Sequence, residues 1–198
     1  MGRPRQFDEA QTLDLALRYF WQHGYEATSV RDLADAMALT GASVYNAYGD
    51  KLALYRRALE RYIDTSIADR INRLQSRKPL QAIEGFYAEM IDRSLDDPDT
   101  KGCMLVNAAL EMAPRDPDLR ALIADVLRRI ETFFRRSVQA GQRDGTITRS
   151  QSAADLARML LGVQLGMRVL ARARPEPALL RGMVRAALAS LQPGVEEP

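Results

Sequence analysis

Residues 28–51, TSVRDLADAMALTGASVYNAYGDK, constrain the fold more than any other part of the chain. Thr28 or Ser29 can cap a helix whose apolar stripe is Val30, Leu33, Ala34 and Met37. Asp32, three residues after Ser29, permits a reciprocal capping box, with Asp as a shorter substitute for the usual Glu. After the turn AMAL, Thr40 can cap a second short helix running to about Tyr48, and Gly49-Asp50 turns the chain out of it. That second segment is too poor in aliphatic residues to be a core helix, yet it carries two tyrosines and an asparagine. Two short helices joined in this way, with a supporting helix before them, read as a helix-turn-helix.

The flanking sequence supplies the support. Phe7, Ala10, Leu13, Leu17 and Phe20 recur at three- and four-residue steps, and Gly24 stops the helix they define. Asp50 can cap a long helix carrying Leu52, Tyr55, Leu59, Tyr62, Ile63, Ile67, Ile71 and Leu74. Further helices are expected from Pro79 to the DDPDTKG segment, through CMLVNAALEMA as far as Pro114, and from Asp116-Pro117-Asp118 to GQRDGTITRS. The last two carry Leu156, Leu160, Val163, Met167 and Leu170, then Leu180, Met183, Val184, Ala187 and Leu191. Met159, Leu161, Leu165 and Val169 widen the apolar face of the first of these, so it needs neighbours on more than one side. No strand pattern interrupts the series, and the prominence of Ala, Leu and Arg favours helix throughout. The expected fold is all-α, with a three-helix head over residues 1–50 and a larger helical body over residues 51–198.

The residue inventory narrows the chemistry. No G-x-S-x-G, Walker A, G-x-G-x-x-G or H-E-x-x-H motif is present, and the acids fall at caps and helix surfaces. The single histidine, His23, lies beside the helix-ending Gly24, where a cation suits the helix dipole. One histidine and one cysteine eighty positions apart offer no metal site, so no metal, no cofactor and no enzymatic activity are expected. A lone cysteine fits a reducing compartment, and the polar start MGRPRQFDEA has no signal-peptide core. No apolar run approaches the roughly 20 residues of a bilayer span. A soluble, cytoplasmic protein is therefore expected.

DNA recognition suits the head better than catalysis. Residues 1–62 hold eight basic and eight acidic residues, so a basic footprint must come from placement. Gly41, Ala42 and Ser43 are slim enough for close approach, Asn46 can pair with adenine, and a tyrosine hydroxyl at Tyr45 or Tyr48 can reach base or phosphate. Lys51 lies in the first turn of the next helix, where backbone N–H groups favour phosphate. Ser29 and Arg31 open the preceding helix, and the arm bearing Arg3 and Arg5 can enter a minor groove or remain a free tail. Phosphate contacts are expected to dominate the affinity and make it steeply salt-dependent.

Phe20…His23-Gly24-Tyr25…Thr28-Ser29-Val30-Arg31-Asp32-Leu33-Ala34, then Thr40…Ser43-Val44-Tyr45…Tyr48-Gly49-Asp50-Lys51, resembles the DNA-binding head of the TetR family of bacterial transcriptional regulators. The resemblance covers about residues 7–60 without a gap. It implies a homodimer joined through its last two helices and a body that receives a small-molecule inducer. Ser29, Arg31, Ser43 and Tyr45 fall at the family's DNA contacts, with Lys51 at its phosphate-binding lysine. The partner it implies is a double-stranded palindromic operator with half-sites about 34–36 Å apart. Three positions depart from the pattern. Ala38 replaces a turn glycine, Gly41 a frequent Lys or Gln, and Ala47 a frequent Tyr or His, which shifts base reading toward Asn46 and Tyr48.

In the body, Phe86, Tyr87, Met90, Met104, Phe133 and Phe134 are candidate pocket residues, with ordinary core as the alternative. Asn107 and Glu111 share one face of a largely apolar helix, and a ligand is one partner such polar groups can find. Cys103 follows Thr-Lys-Gly at a helix start, so an electrophile- or oxidant-sensing thiol stands beside a buried core cysteine and a body that senses nothing. Gly162 and Gly166 bring small residues one turn apart, which permits close approach of another helix at a four-helix dimer interface.

Overall fold

The computed structural model describes residues 8–193, so Phe7 and the arm residues Arg3 and Arg5 lie outside the described residues. The head comprises α1 (Glu9–His23), α2 (Val30–Ala36) and α3 (Gly41–Tyr48). A rod then runs unbroken through α4 (Lys51–Tyr62), a π-helical segment (Ile63–Ala68) and α5 (Asp69–Leu74). The body adds α6 (Pro79–Leu95), α7 (Met104–Glu111), α8 (Pro117–Asp144), α9 (Ala153–Ala173) and α10 (Pro177–Ala189). Among the described residues there is no strand, and no helix is long and apolar enough to cross a membrane.

Local chemistry sets the helix starts. Asp8, Thr40, Asp50, Asp116 and Ser152 each accept a backbone N–H of the first helical turn. Both halves of the Ser29–Asp32 capping box form, and the Ser29 hydroxyl and amide hold the Asp32 carboxyl below its ordinary range. Caps of this kind contribute about 1 kcal/mol each. Gly24 ends α1 at φ 82° and donates to the Phe20 carbonyl at 2.8 Å.

The α2–α3 turn keeps its left-handed geometry without glycine. Ala38 sits at φ 54°, flanked by Ala38 N–H to Asp35 O and Leu39 N–H to Ala34 O at 3.2 and 2.9 Å. An L-residue held there costs about 1–2 kcal/mol. The π-helical segment is a second departure, because apolar spacing reads as one regular helix to Leu74. Within that segment the Thr65 hydroxyl donates to the Arg61 carbonyl at 2.8 Å. Such back-bonding competes with the helical ladder and bends it.

In the head, α4 lies along α1, with Phe20 edge-on to Tyr55 at 5.0 Å and Tyr25 edge-on to Tyr55 at 5.2 Å. In the body, α8 packs against both α6 and α9, and α10 rests on α6 and α9. Head and body meet at the α1–α2 turn, where α7 and the start of α8 supply the partners described below.

Candidate nucleic-acid interface

The outward face of α3 is spare and uncharged. Ala42, Tyr45 and Asn46 are exposed, Tyr45 to 54%, while Val44 is buried in the head core. Gly41 has open space where a side chain would stand, which leaves the backbone accessible at the helix start. The Thr40 hydroxyl accepts the Ser43 N–H at 3.1 Å and lies 2.9 Å from the Ser43 hydroxyl, so both residues shape the helix end.

Tyr48 does not face outward as the sequence reading expected. It is 5% exposed, its hydroxyl lies 2.7 Å from the Thr12 hydroxyl, and the Arg57 guanidinium covers its ring. The reason is periodicity, since Tyr48 stands one turn beyond the core residue Val44. Tyr48→Phe is accordingly expected to cost about 1 kcal/mol of stability, as one buried hydrogen bond is lost, and to leave DNA affinity unchanged. Urea unfolding and operator titration check the two halves separately. A weaker operator complex with unaltered unfolding would return Tyr48 to the DNA-facing set.

Lys51 has a role inside the protein that its sequence position hides. Its ammonium donates to the Tyr25 and Thr28 carbonyls at 3.0 and 2.9 Å and sits 4.1 Å from the Tyr25 ring centroid. Two of its three protons are therefore committed to the α1–α2 turn. Nearby cations are also engaged: Arg56 with Asp118, Arg57 with Glu9, and Arg61 with Asp14. These cations are thus paired within the protein, while Arg31 is exposed and stands free of ion pairs with described residues.

The same turn is held from the body side. The Glu111 carboxylate accepts the Tyr25 N–H at 3.0 and 3.1 Å and the Glu26 N–H at 2.9 Å, and Arg115 pairs with Glu26. A Cβ at Gly24 would lie 3.2 Å from a Glu111 oxygen, so this contact needs glycine both for its φ and for its size. Glu111 thus links head and body, and with Asn107 it also lines a cleft of about 380 Å³ beside Trp21, His23 and Arg172. Asn107, one turn earlier, donates to the Lys101 carbonyl at 3.1 Å and secures the loop before α7.

Other expected pocket residues are packed against one another. Phe86 meets Phe133 and Phe134 at 5.4 and 5.0 Å, Tyr87 stacks on Phe134 at 5.7 Å, and Met90 and Met104 are 1% exposed. Tyr87 donates to the Leu160 carbonyl at 2.6 Å. These side chains form core, with Phe133 alone of the group bordering an open groove of about 790 Å³ between α5 and α8. Cys103 is 3% exposed and accepts a hydrogen bond from the Tyr62 hydroxyl at 3.3 Å. Lys101 directs its ammonium to Asp97 and Asp99.

The last two helices correct the expected interface set. Leu156, Leu160, Met167, Leu180, Val184, Ala187 and Leu191 are buried inside the protomer and are unavailable to a second copy. The apolar face left uncovered is Met159, Gly162, Val163, Gly166, Val169 and Leu170 on α9, with Leu179, Gly182, Met183 and Ala186 on α10. Val163, Leu170 and Met183 belong to both sets. Val169 is 50% exposed, and a Cβ on Gly162 would meet nothing within 4 Å. Helical spacing marks both faces of α9 as apolar and cannot tell which one turns inward.

Comparison with known proteins gives a consistent picture. Residues 13–58 match the family described as bacterial regulatory proteins, tetR family, and residues 79–187 match the tetracyclin repressor-like C-terminal domain. The uncharacterised HTH-type transcriptional regulator YezE of Bacillus subtilis (strain 168) is 28% identical over 193 residues, covering 96% of this chain and 100% of that protein. The HTH-type transcriptional repressor ComR of Escherichia coli (strain K12) is 30% identical over 177 residues, covering 86% of this chain and 82% of that protein. A solved structure of a cysteine mutant of the TetR family regulator CifR, complexed with 26 bp double-strand operator DNA, superposes with a TM-score of 0.85 at 29% identity. That superposition covers 96% of this chain and 100% of CifR.

Proposed function

Since this chain belongs to the tetR family of bacterial regulatory proteins and is a transcriptional regulator, not an enzyme, we propose that it acts as a homodimeric repressor. In this reading two heads bind the half-sites of a palindromic operator, and a small molecule in the body releases them. The supporting observation is the α3 surface: slim at its start, exposed at Ala42, Tyr45 and Asn46, and backed by a packed head core. Ser29, Arg31, Thr40, Gly41 and Ser43 frame it, with Lys51 offering a phosphate its one uncommitted proton. The printed descriptions of ComR as a repressor and of CifR on operator DNA favour the same assignment.

The division into a head over residues 1–50 and a body over 51–198 is part of the proposal. Here α4 acts as a shared strut, because its side chains serve both α1 and the body. Dimerisation through the uncovered stripe of α9 and α10 is supported by the glycines in it. A glycine inside a helix costs about 0.5–1 kcal/mol, and close approach of a second helix offsets that cost.

Selection of bound fragments from genomic DNA tests the reading, followed by titration of Asn46→Ala on the selected site and on random DNA. A good pair from asparagine to adenine discriminates by about 1–3 kcal/mol per half-site. The variant is expected to lose roughly tenfold or more on the selected site and to bind random DNA as before. Equal losses on both would remove Asn46 from base reading, and failure to select any site would overturn the repressor assignment.

A further inference from the structure

The body holds two arginines in places where the chain alone does not satisfy them. Arg70, at the start of the last part of the rod, is 2% exposed, and Arg168, on α9, is 7% exposed. The Arg70 Nη2 and the Arg168 Nε have no hydrogen-bond partner, and neither has the buried indole N–H of Trp21. These three are donors, whereas the fourth such atom among the described residues, Gln164 Oε1 one turn before Arg168, is an acceptor. Buried donors left unmet cost about 1–3 kcal/mol each, more when charged, so unmet donors call for an acceptor.

The negative charge available to these arginines is small. Glu89 approaches the Arg70 Nε at 3.4 Å, but its carboxylate is already gripped by Arg73 at 2.8 and 2.9 Å. Arg168 donates to a neutral hydroxyl, Ser94 Oγ, at 3.2 Å. Burial pushes the Tyr62 phenol upward, so it stays neutral and supplies no counter-charge. Burial and then the positive charge of Arg168 pull Arg70 down to about 10, which leaves it cationic at neutral pH. Two like charges thus share an interior in which the carboxylate that reaches Arg70, Glu89, is shared with Arg73.

A cleft of about 310 Å³ leads to this place from the surface. Its walls are Trp21 of α1, Tyr62 and Ser66 of the rod, the 96–102 loop, and Arg168. The Trp21 and Tyr62 rings meet edge to face at 5.0 Å and give it an aromatic side. Within the lining Lys101 is neutralised by Asp97 and Asp99, and the other charged members are Arg93, Asp96 and Arg168. The larger groove beside α8 is also rich in arginine, but those arginines are exposed and water already satisfies them.

We propose that this cleft is the effector site and that its ligand is a small organic anion whose carboxylate or phosphate is received by Arg168, with the charge of Arg70, near Arg168 but outside the cleft lining, adding to the attraction. The proposal deepens the repressor reading above and rests on it for the consequence of binding. An occupant would touch the head through Trp21, the rod through Tyr62 and the dimer helix α9 through Arg168. A ligand moves an equilibrium only by preferring one state, and contact with all three elements provides such a preference.

Trp21 is the chain's one tryptophan, so its emission reports the cleft without a label. The full chain, free of DNA, is titrated with benzoate, phenyl phosphate and the neutral analogue benzamide. Saturable change with at least one anion and none with benzamide is expected, and whichever anion binds identifies carboxylate or phosphate as the acceptor. Arg168→Met is expected to weaken that binding tenfold or more while the melting temperature holds or rises, because a buried like-charge contact is relieved. Arg70→Met, which removes a charge outside the lining, should weaken the binding less. Equal response to benzamide, no saturable response to either anion, or a lowered melting temperature with unchanged binding would overturn the site. Operator release is measured separately on the same samples. Anion binding without release would sink the inducer role of the cleft, whereas absent binding would leave operator recognition standing.

Discussion

Gly162→Glu is expected to yield a folded monomer that has lost operator affinity by a factor of about 10² or more, the gain that bivalency ordinarily confers. Inside the protomer the substitution meets no obstacle, since a Cβ at this position has no neighbour within 4 Å. A glutamate also favours helix over glycine, by roughly 0.5 kcal/mol or slightly more. The damage is confined to assembly. Gly162 lies in the uncovered apolar stripe between Met159 and Gly166, and a two-fold contact would present the new carboxylate twice in one seam. Burying an unpaired charge there is costly enough to separate the subunits. Sedimentation or light scattering reads the mass, and operator titration the affinity. A dimer that persists at micromolar concentration would place the interface elsewhere.

Glu111→Ala is the second large effect. The carboxylate satisfies two backbone N–H groups of the α1–α2 turn through three contacts of 2.9–3.1 Å. Removing it leaves the Tyr25 and Glu26 amides at a partly buried junction without that acceptor. A loss of about 2–3 kcal/mol is expected, the scale of hydrogen bonds to a charged group together with the donors left behind. Arg115 with Glu26 still joins head to body, and Arg56 with Asp118 ties α4 to the start of α8, but these exposed pairs contribute only about 0–1 kcal/mol each. Urea unfolding measures the loss, and amide exchange at residues 24–29 locates it. An unchanged midpoint with unchanged protection of that turn would show that Glu111 holds nothing.

The parts of the fold that local chemistry decides were legible in the sequence. Ser29 with Asp32, Thr40, Asp50 and Asp116 occupy their cap positions because a cap is a contact across three residues. The site was less legible, for three separate reasons. Tyr48 carried a readable signal, its four-residue spacing from Val44, but a tyrosine in a DNA-facing helix invites the opposite reading. The partners of Glu111 and Lys51 lie 86 and 26 residues away, at distances that no spacing rule spans. Arg168 follows Gln164 by one turn on an apolar helix, and buried arginine is rare enough that such a position is ordinarily read as solvated.

The uncharged face of α3 has a consequence for how the protein divides its time in a cell. Binding to random DNA is almost wholly electrostatic, and here Arg56, Arg57 and Arg61 are neutralised within the protein. Competing genomic sites, of which there are about 10⁶ or more, are therefore expected to hold less of the pool than they would with those charges free. Fewer molecules would then be stored off target, and fewer copies would keep an operator occupied. The cost falls on the search, since weak sliding contacts give up the speed that a more basic surface would supply.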